Sequence, residues 1–376
     1  MPRILIVTGE ASGDLHGANL ARALRARDPG VSLAGIGGSA MEAAGVELVR
    51  DVGRFDVIGM IGPLVIAAGI RRFLAMRRLF RAEPWDAVVF IDNPGLNLRY
   101  AYFARRAGLR VFYYIAPQIW AWRPGRIHWI KQRVDHVLVV LPFEKTIYDN
   151  AGIRCTFVGH PLLDAVAAEY EVKELRRRFG LSPEKRVVAL LPGSRTREVE
   201  SLLPILLDAA EKLVRTCPGT QFILAQAPTI PDNLLQSVLR RSTVPVTVVK
   251  GEASEVMGSA DLVLVASGTA TLQAAVIGVP MILLYRTTAL TYWLARYLIR
   301  VRWIGLVNLV AGRTVVPELI QDDATGQRLY EEALDILDHT SVYDEMKQNL
   351  AKVRAALGQP GASAKVAEVV LAACRV

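Results

Sequence analysis

Hydrophobic positions along this chain fall into short apolar runs separated by longer amphipathic stretches. In the first half the runs predict strands at Ile4–Thr8, Ser32–Ile36, Ala87–Ile91, Val111–Ile115, His136–Leu141 and Thr156–Val158. In the second half they predict strands at Val187–Leu191, Gln221–Ala225, Val246–Val249, Leu262–Val265 and Met281–Tyr285. Helical spacing intervenes, as at Leu15–Arg27 and Asn97–Ala107. Strand and helix alternating over short turns predict an α/β fold with parallel sheets covered by helices on both faces. Strand texture gives way to a polar helix within Leu162–Arg178, and from Tyr343 to Val376 the pattern is helical. Two domains follow: 1–165, with 343–376 packing back on it, and 166–342. A chain of 376 residues is also too long for one ordinary core.

The most informative turn is in VVALLPGSRTRE, Val187–Glu198. An apolar strand ends in Pro192-Gly193-Ser194-Arg195 and a helix begins. Backbone N–H groups at a helix start bind anions, and arginine grips phosphate through two parallel hydrogen bonds. Because this turn lies mid-chain, it predicts a second Rossmann-like domain facing the first across a cleft. A similar strand end, Ala266-Ser267-Gly268-Thr269, opens another helix, and two such N-termini can cradle a diphosphate.

Ligands of open parallel sheets bind beyond the carboxyl ends of strands. The first strand is followed by Glu10, Ser12, Gly13 and Asp14, of which Ser12 or Asp14 can equally cap a helix. Asp92 and Asn93 follow Ala87–Ile91. A carboxylate ending a buried strand is costly unless used or hydrogen-bonded, so Asp92 reads as a general base or as an Asx-turn residue. The loop after Val111–Ile115 carries Trp120, Trp122 and Arg123, a platform for a sugar face or acyl chain, or a locally packed cluster. His160 reads as catalytic or structural. No Walker lysine and no GxGxxG occur, and no carboxylates show metal-ligand spacing, so neither cofactor nor metal is expected.

Charge and composition add a surface. The formal net charge is +9, with arginines crowded between Arg71 and Arg126. Nucleic acid, anionic lipid and phosphorylated substrates are the partners such a face can meet. The apolar run Val57–Ile70 continues into a basic segment through Phe80. It is shorter than the ~20 residues of a bilayer span, and reads as an interfacial helix or as an amphipathic helix on a sheet. Leu290–Trp303, rich in aromatic and basic residues, is a second candidate. The N-terminal apolar run is too short for a signal peptide, and three dispersed cysteines suit a reducing cytoplasm.

The motifs GEASGD, IDNPGLN, APQIWAWR, LPFEK, FVGHPLLD, LLPGSR, ASGTATLQ and NLVAGR, in this order, closely resemble the lipid-A-disaccharide synthase family. The resemblance implies the GT-B architecture. It also implies an inverting, metal-independent glycosyltransferase that joins UDP-2,3-diacylglucosamine to 2,3-diacylglucosamine 1-phosphate (lipid X), giving a β(1→6) disaccharide 1-phosphate and UDP. On that reading Asp92 falls on the essential aspartate, Arg195 on the UDP-contacting arginine, and Asn308 near the nucleotide. Gly193, Ser194, Glu198, Ser267, Gly268, Thr269, Gln273 and Arg313 complete the expected nucleotide site. Glu10, Ser12, Gly13, Asp14, Asn93, Trp120, Trp122 and Arg123 form the expected acceptor and sugar site. Gln273 stands where the family commonly has glutamate. Leu64, Val65, Ile66, Phe73 and Leu74 become the expected membrane contact, on the anionic inner leaflet of the cytoplasmic side. Nucleic acid is not an expected partner, and a homodimer is the oligomer the resemblance admits. The rivals are a UDP-N-acetylglucosamine 2-epimerase or another GT-B sugar enzyme, and a non-enzymatic two-lobed binding protein.

Overall fold

The inner strands, buried along their length, form where the apolar runs stand, because a parallel sheet covered on both faces has no wet side, while the edge strands Cys155–Phe157 and Val246–Lys250 are only partly buried. The computed structural model describes residues 1–49, 63–121, 124–167, 169–288, 292 and 302–375, with residues 11 and 63–68 described by their backbone. The chain divides into two units, Met1–Pro161 with Gly358–Val376, and Leu162–Leu357.

In the first unit the strands are β1 (Arg3–Val7), β2 (Ser32–Ile36), β3 (Glu47–Leu48), β4 (Ala87–Ile91), β5 (Arg110–Tyr114), β6 (His136–Val139) and β7 (Cys155–Phe157). Their order in the sheet is β3-β2-β1-β4-β5-β6-β7, all parallel. Helices α1 (Ala11–Arg27), α2 (Ser39–Ala43), α3 (Pro63–Ala82), α4 (Pro94–Arg106), α5 (Arg126–Arg133) and α6 (Pro142–Asn150) connect them. Phe80, Phe90, Tyr100, Tyr113 and Tyr148 fill the core on one face of the sheet. Strand order reverses between β1 and β4, whose register pairs Ile4 with Ala87 and Val7 with Phe90. The loops leaving the two strands meet there, at the usual ligand position of such sheets.

The second unit repeats the plan. Strands β8 (Val187–Leu191), β9 (Gln221–Gln226), β10 (Val246–Lys250), β11 (Leu262–Ala266), β12 (Met281–Tyr285) and β13 (Glu318–Ile320) lie in the order β10-β9-β8-β11-β12-β13. Helices α7 (Leu162–Ala165), α8 (Val172–Arg178), α9 (Thr196–Thr216), α10 (Asp232–Leu239), α11 (Ala253–Gly258) and α12 (Thr269–Ile277) are followed by Leu306–Ala311, Gly326–Asp338 and Thr340–Ala356. Here the order reverses between β8 and β11, the strands that end in the two small-residue turns.

The chain re-enters the first unit later than the sequence suggests. Helix Thr340–Ala356 packs on α12 and on Leu306–Ala311, and Arg354 Nη1 donates to the Val276 carbonyl at 3.0 Å. Its apolar stripe (Met346, Leu350, Val353) is buried within the second unit. The last helix, Ala362–Cys374, packs instead on α1. Gly358 has φ +95°, and a Cβ there would lie 3.2 Å from Gly159 Cα, so the crossover is glycine's for conformation and for space.

Candidate active site

At the switch point of the first sheet the β1 and β4 loops touch. A Cβ on Gly9 would meet Asn93 Nδ2 at 2.1 Å. Asp92 and Asn93 are consecutive left-handed residues, at φ +50° and +45°, and Ile115 at the end of neighbouring β5 has φ +57°. Asp and Asn tolerate this region; a β-branched residue does not, and such positions cost on the order of 1–3 kcal/mol each. The main chain of Asp92 is pinned. Its N–H donates to the Tyr114 carbonyl at 3.1 Å, and its carbonyl accepts from Asn97 Nδ2 at 2.8 Å and Tyr113 Oη at 2.6 Å. Pro94 follows at the first position of α4. The hinge thus delivers the Asp92 carboxyl, half-buried, at the strand's carboxyl end. Burial pushes its pKa up, against the pull of the Asn93 N–H. A raised carboxyl pKa suits a general base.

His16 and His160 belong to the same unit and were not separable by sequence pattern from ordinary structural histidines. His16 Nδ1 is buried with no hydrogen-bond partner among the described residues, and its ring meets Tyr114 edge-on at 6.3 Å. Burial lowers its pKa; burial and the nearby His16 lower that of His160 to about 4. Both are therefore neutral at pH 7.

In the second unit Gly193 has φ +114°, and the Glu198 Oε2 atom lies 2.4 Å from where its Cβ would be. The Glu198 carboxylate accepts from Ser194 N at 3.1 Å, Arg195 N at 3.3 Å and Arg195 Nη1 at 2.9 Å. That is a capping box: Glu198 folds the turn, and the Arg195 side chain remains 82% exposed. Thr229 Oγ1 donates to the Ser194 carbonyl at 2.6 Å and ties the turn to the next loop. A cavity of about 330 Å³ opens here, lined among others by Gly193, Arg195, Gly268 and Thr269. A larger one, about 640 Å³, adjoins Arg195, Ser267 and Arg286. Both lie in the size range of small-ligand sites.

The family model for lipid-A-disaccharide synthetase matches residues 4–372 of this chain. The lipid-A-disaccharide synthase of Geobacter metallireducens is 44% identical over 370 residues, 98% of this chain and 96% of that protein. The chain belongs to the lipid-A-disaccharide synthase family. The enzyme of Myxococcus xanthus is 41% identical over 371 residues, covering 98% of this chain and 97% of its own. Among solved structures, UDP-GlcNAc 2-epimerase from Neisseria meningitidis bound to UDP-GlcNAc superposes with a TM-score of 0.66 at 13% identity, covering 98% of this chain and 100% of its own. MurG of Acinetobacter baumannii gives 0.62 at 13%, covering 99% and 100%. These two show the fold alone, which is GT-B, and the epimerase rival gains nothing from them.

Within this lipid-A-disaccharide synthase family member, several residues expected at the site also bond within the protein. Asn308 is fully buried. Its Oδ1 accepts from Val315 N at 2.7 Å and Val316 N at 3.1 Å, and its Nδ2 donates to the Val316 carbonyl at 3.0 Å and Glu318 Oε1 at 2.7 Å. An amide offers two donors and accepts two bonds, so Asn308 is saturated and shapes the loop before β13. Asp14 likewise accepts the N–H groups of Gly38, Ala40 and Met41 at 2.7, 3.0 and 3.1 Å, holding the start of α2. Gln273 bonds Ser254 Oγ of α11. Arg313 is tied to Asn349 Oδ1 at 2.5 Å. Trp120 is half-buried and held from α6: Nε1 donates to Glu144 Oε1 at 3.0 Å, and its ring stands edge-on to Phe143 at 5.0 Å. Glu10 and Ser12 are exposed beside Gly13, whose missing side chain lets α1 approach Thr8. Trp122 and Arg123 lie outside the described residues.

The expected membrane helix also divides. Phe73 packs on Tyr100 and Phe103, with ring centroids 5.0 and 6.1 Å away, and so belongs to the core. Leu74 and Ile70 are 50% and 57% exposed on the same helix, beside exposed Arg71, Arg77 and Arg78. The side chains of Leu64, Val65 and Ile66 lie outside the described residues, although α3 includes their backbone. On adjacent α4 and α5, Tyr102 and Trp129 are exposed, and the Arg133 guanidinium lies over both rings at 5.4 and 4.6 Å. Of Leu290–Trp303, residues 290–291 and 293–301 lie outside the described residues; Trp303 Nε1 donates to Thr314 Oγ1 at 2.9 Å. Among the described residues no helix is long and apolar enough to cross a membrane, and no cluster of three His, Cys, Asp or Glu offers a metal site.

Proposed function

We propose that this chain joins UDP-2,3-diacylglucosamine to 2,3-diacylglucosamine 1-phosphate with inversion, releasing UDP and the β(1→6) lipid A disaccharide 1-phosphate. The observation that carries the proposal is the Asp92 hinge, which spends backbone strain to present one half-buried carboxyl with a raised pKa. Asp92 takes the proton of the acceptor 6-hydroxyl as that oxygen bonds the donor anomeric carbon. The bond from that carbon to the diphosphate breaks, and its electron pair ends on the UDP β-phosphate. Arg195 and the N-termini of α9 and α12 stabilise that charge by fixed hydrogen bonds and dipoles. No step is assigned to a metal.

Acyl chains anchor both substrates in a bilayer, so the proposal includes docking on the anionic inner leaflet from the cytoplasmic side. The exposed pair Ile70 and Leu74, with the arginines around them, supports α3 as the docking helix. The test is a reaction of the purified protein with both substrates, with and without EDTA, read by mass spectrometry. Disaccharide 1-phosphate and UDP in equal amounts, insensitive to EDTA, are expected. Absence of the disaccharide, or epimerised sugar nucleotide in its place, overturns the proposal.

A further inference from the structure

The loop after β5, residues 116–121, is held by α6 at two points. Trp120 Nε1 donates to Glu144 Oε1 at 3.0 Å, and Tyr148 Oη donates to the Pro117 carbonyl at 3.2 Å. Glu144 and Tyr148 are four residues apart, so they stand one above the other on one helix face. Glu144 is 1% exposed, and its second oxygen accepts the Leu141 N–H at 3.2 Å. Burying a carboxylate this deeply is costly, and helix capping alone does not require it, since exposed residues cap equally well.

We propose that Glu144 is a positioning residue for the aromatic loop: its ionised carboxylate clamps Trp120 to the first turn of α6, and taking up a proton loosens that clamp. The proposal rests on the reading of this loop as part of the acceptor site.

Both carboxylate oxygens are committed as acceptors. A proton on either removes the charge and leaves that oxygen a much poorer acceptor, so the bonds to Trp120 and Leu141 weaken. Burial pushes the Glu144 pKa up to about 7, against the pull of the Trp120, Leu141 and Val140 N–H groups. The groups that sense its charge are Tyr148 on α6 and Cys155 on β7. Both are neutral at pH 7, because burial pushes the phenol up and the thiol up to about 12. Lys145 on the same helix pairs with Asp149 at 2.5 Å. For a carboxyl with a raised folded pKa the charged form exists only above that pKa, so the clamp is closed on the alkaline side of neutrality and opens below it.

The experiment compares tryptophan fluorescence of wild type and Trp120→Phe between pH 5.5 and 8.5, so that the difference reports Trp120. A transition with its midpoint near 7 is expected. Glu144→Gln keeps the size and one acceptor but does not titrate, and is expected to abolish the transition. Tyr148→Phe cuts the other tether, leaves the charge, and is expected to retain it. In turnover assays Glu144→Gln is expected to raise acceptor KM about tenfold, the value of one charge-assisted hydrogen bond, with kcat nearly unchanged. A flat Trp120 signal, a titration that persists in Glu144→Gln, or an unchanged acceptor KM each overturns the inference. Failure of the chain to form disaccharide at all sinks the proposed reaction instead, and the fluorescence titration still decides the clamp.

Discussion

Replacing Asp92 by asparagine separates chemistry from folding more cleanly than any other substitution in this protein. Asparagine tolerates the left-handed φ of +50°, and its carbonyl still accepts the Asn93 N–H. The bonds to Tyr114, Asn97 and Tyr113 use main-chain atoms of residue 92, so they survive any side chain. No destabilisation follows. The raised pKa fixes the sign: the fold disfavours the ionised carboxyl, which costs wild type stability at pH values above its folded pKa. Asp92→Asn should therefore melt at the same or a higher temperature at pH 8, and the difference should vanish at acid pH, where wild type is protonated. Loss of a general base costs about 10²–10⁴ in rate, or about 3–5 kcal/mol of transition-state stabilisation. Asp92→Ala loses the same chemistry and adds about 1–2 kcal/mol of backbone cost in the left-handed region. Steady-state release of UDP, alongside calorimetric melting of all three proteins, measures both quantities. Turnover of Asp92→Asn within a few-fold of wild type would show that the proton goes elsewhere.

Arg195→Ala should weaken UDP binding by about 1.5–3 kcal/mol in titration calorimetry, and Arg195→Lys should recover only part, because lysine lacks the two-pronged geometry. Asn308→Asp puts an acceptor against the Glu318 carboxylate and the Val316 carbonyl, and should cost about 3–5 kcal/mol in denaturant unfolding; a stable variant would mean that the loop before β13 rearranges freely. Ile70→Ser with Leu74→Ser should leave the circular dichroism spectrum intact and weaken flotation with anionic liposomes. Residual binding should fall with salt, since each basic residue near the surface contributes about 1 kcal/mol under screening. Undiminished flotation of that double variant would move the membrane contact off α3.

Strands were legible in the sequence because a doubly covered parallel strand must be apolar throughout, and strand ends located the crevices. β3 and β13 were not, since two or three residues containing a glutamate make no apolar run. At the site, residue type was legible and side-chain direction was not. Asn308, Asp14 and Glu198 have the chemistry of ligand contacts, yet their oxygens go to backbone N–H groups, a choice made by loop geometry several residues away. Phe73 and Leu74 are neighbours in sequence but about 100° apart around a helix, so one enters the core and the other meets solvent. His16 carries no local signal at all, because its company with Tyr114 and His160 is created by strand order.

The late crossover at Gly358 has a consequence for synthesis. The first unit is sewn shut by a helix that is synthesised only after the whole second unit. Val366, Ala367 and Val370 are fully buried, and Glu368 reaches back to Arg27 at 3.0 Å. Until those residues emerge, the α1 flank of the nascent first unit stays uncovered while the second unit, continuous from Leu162 to Leu357, can already fold. A variant whose helix Ala362–Cys374 cannot dock on α1 would carry a finished second unit and an open first unit, and the cell would meet it as a target for chaperones and proteases.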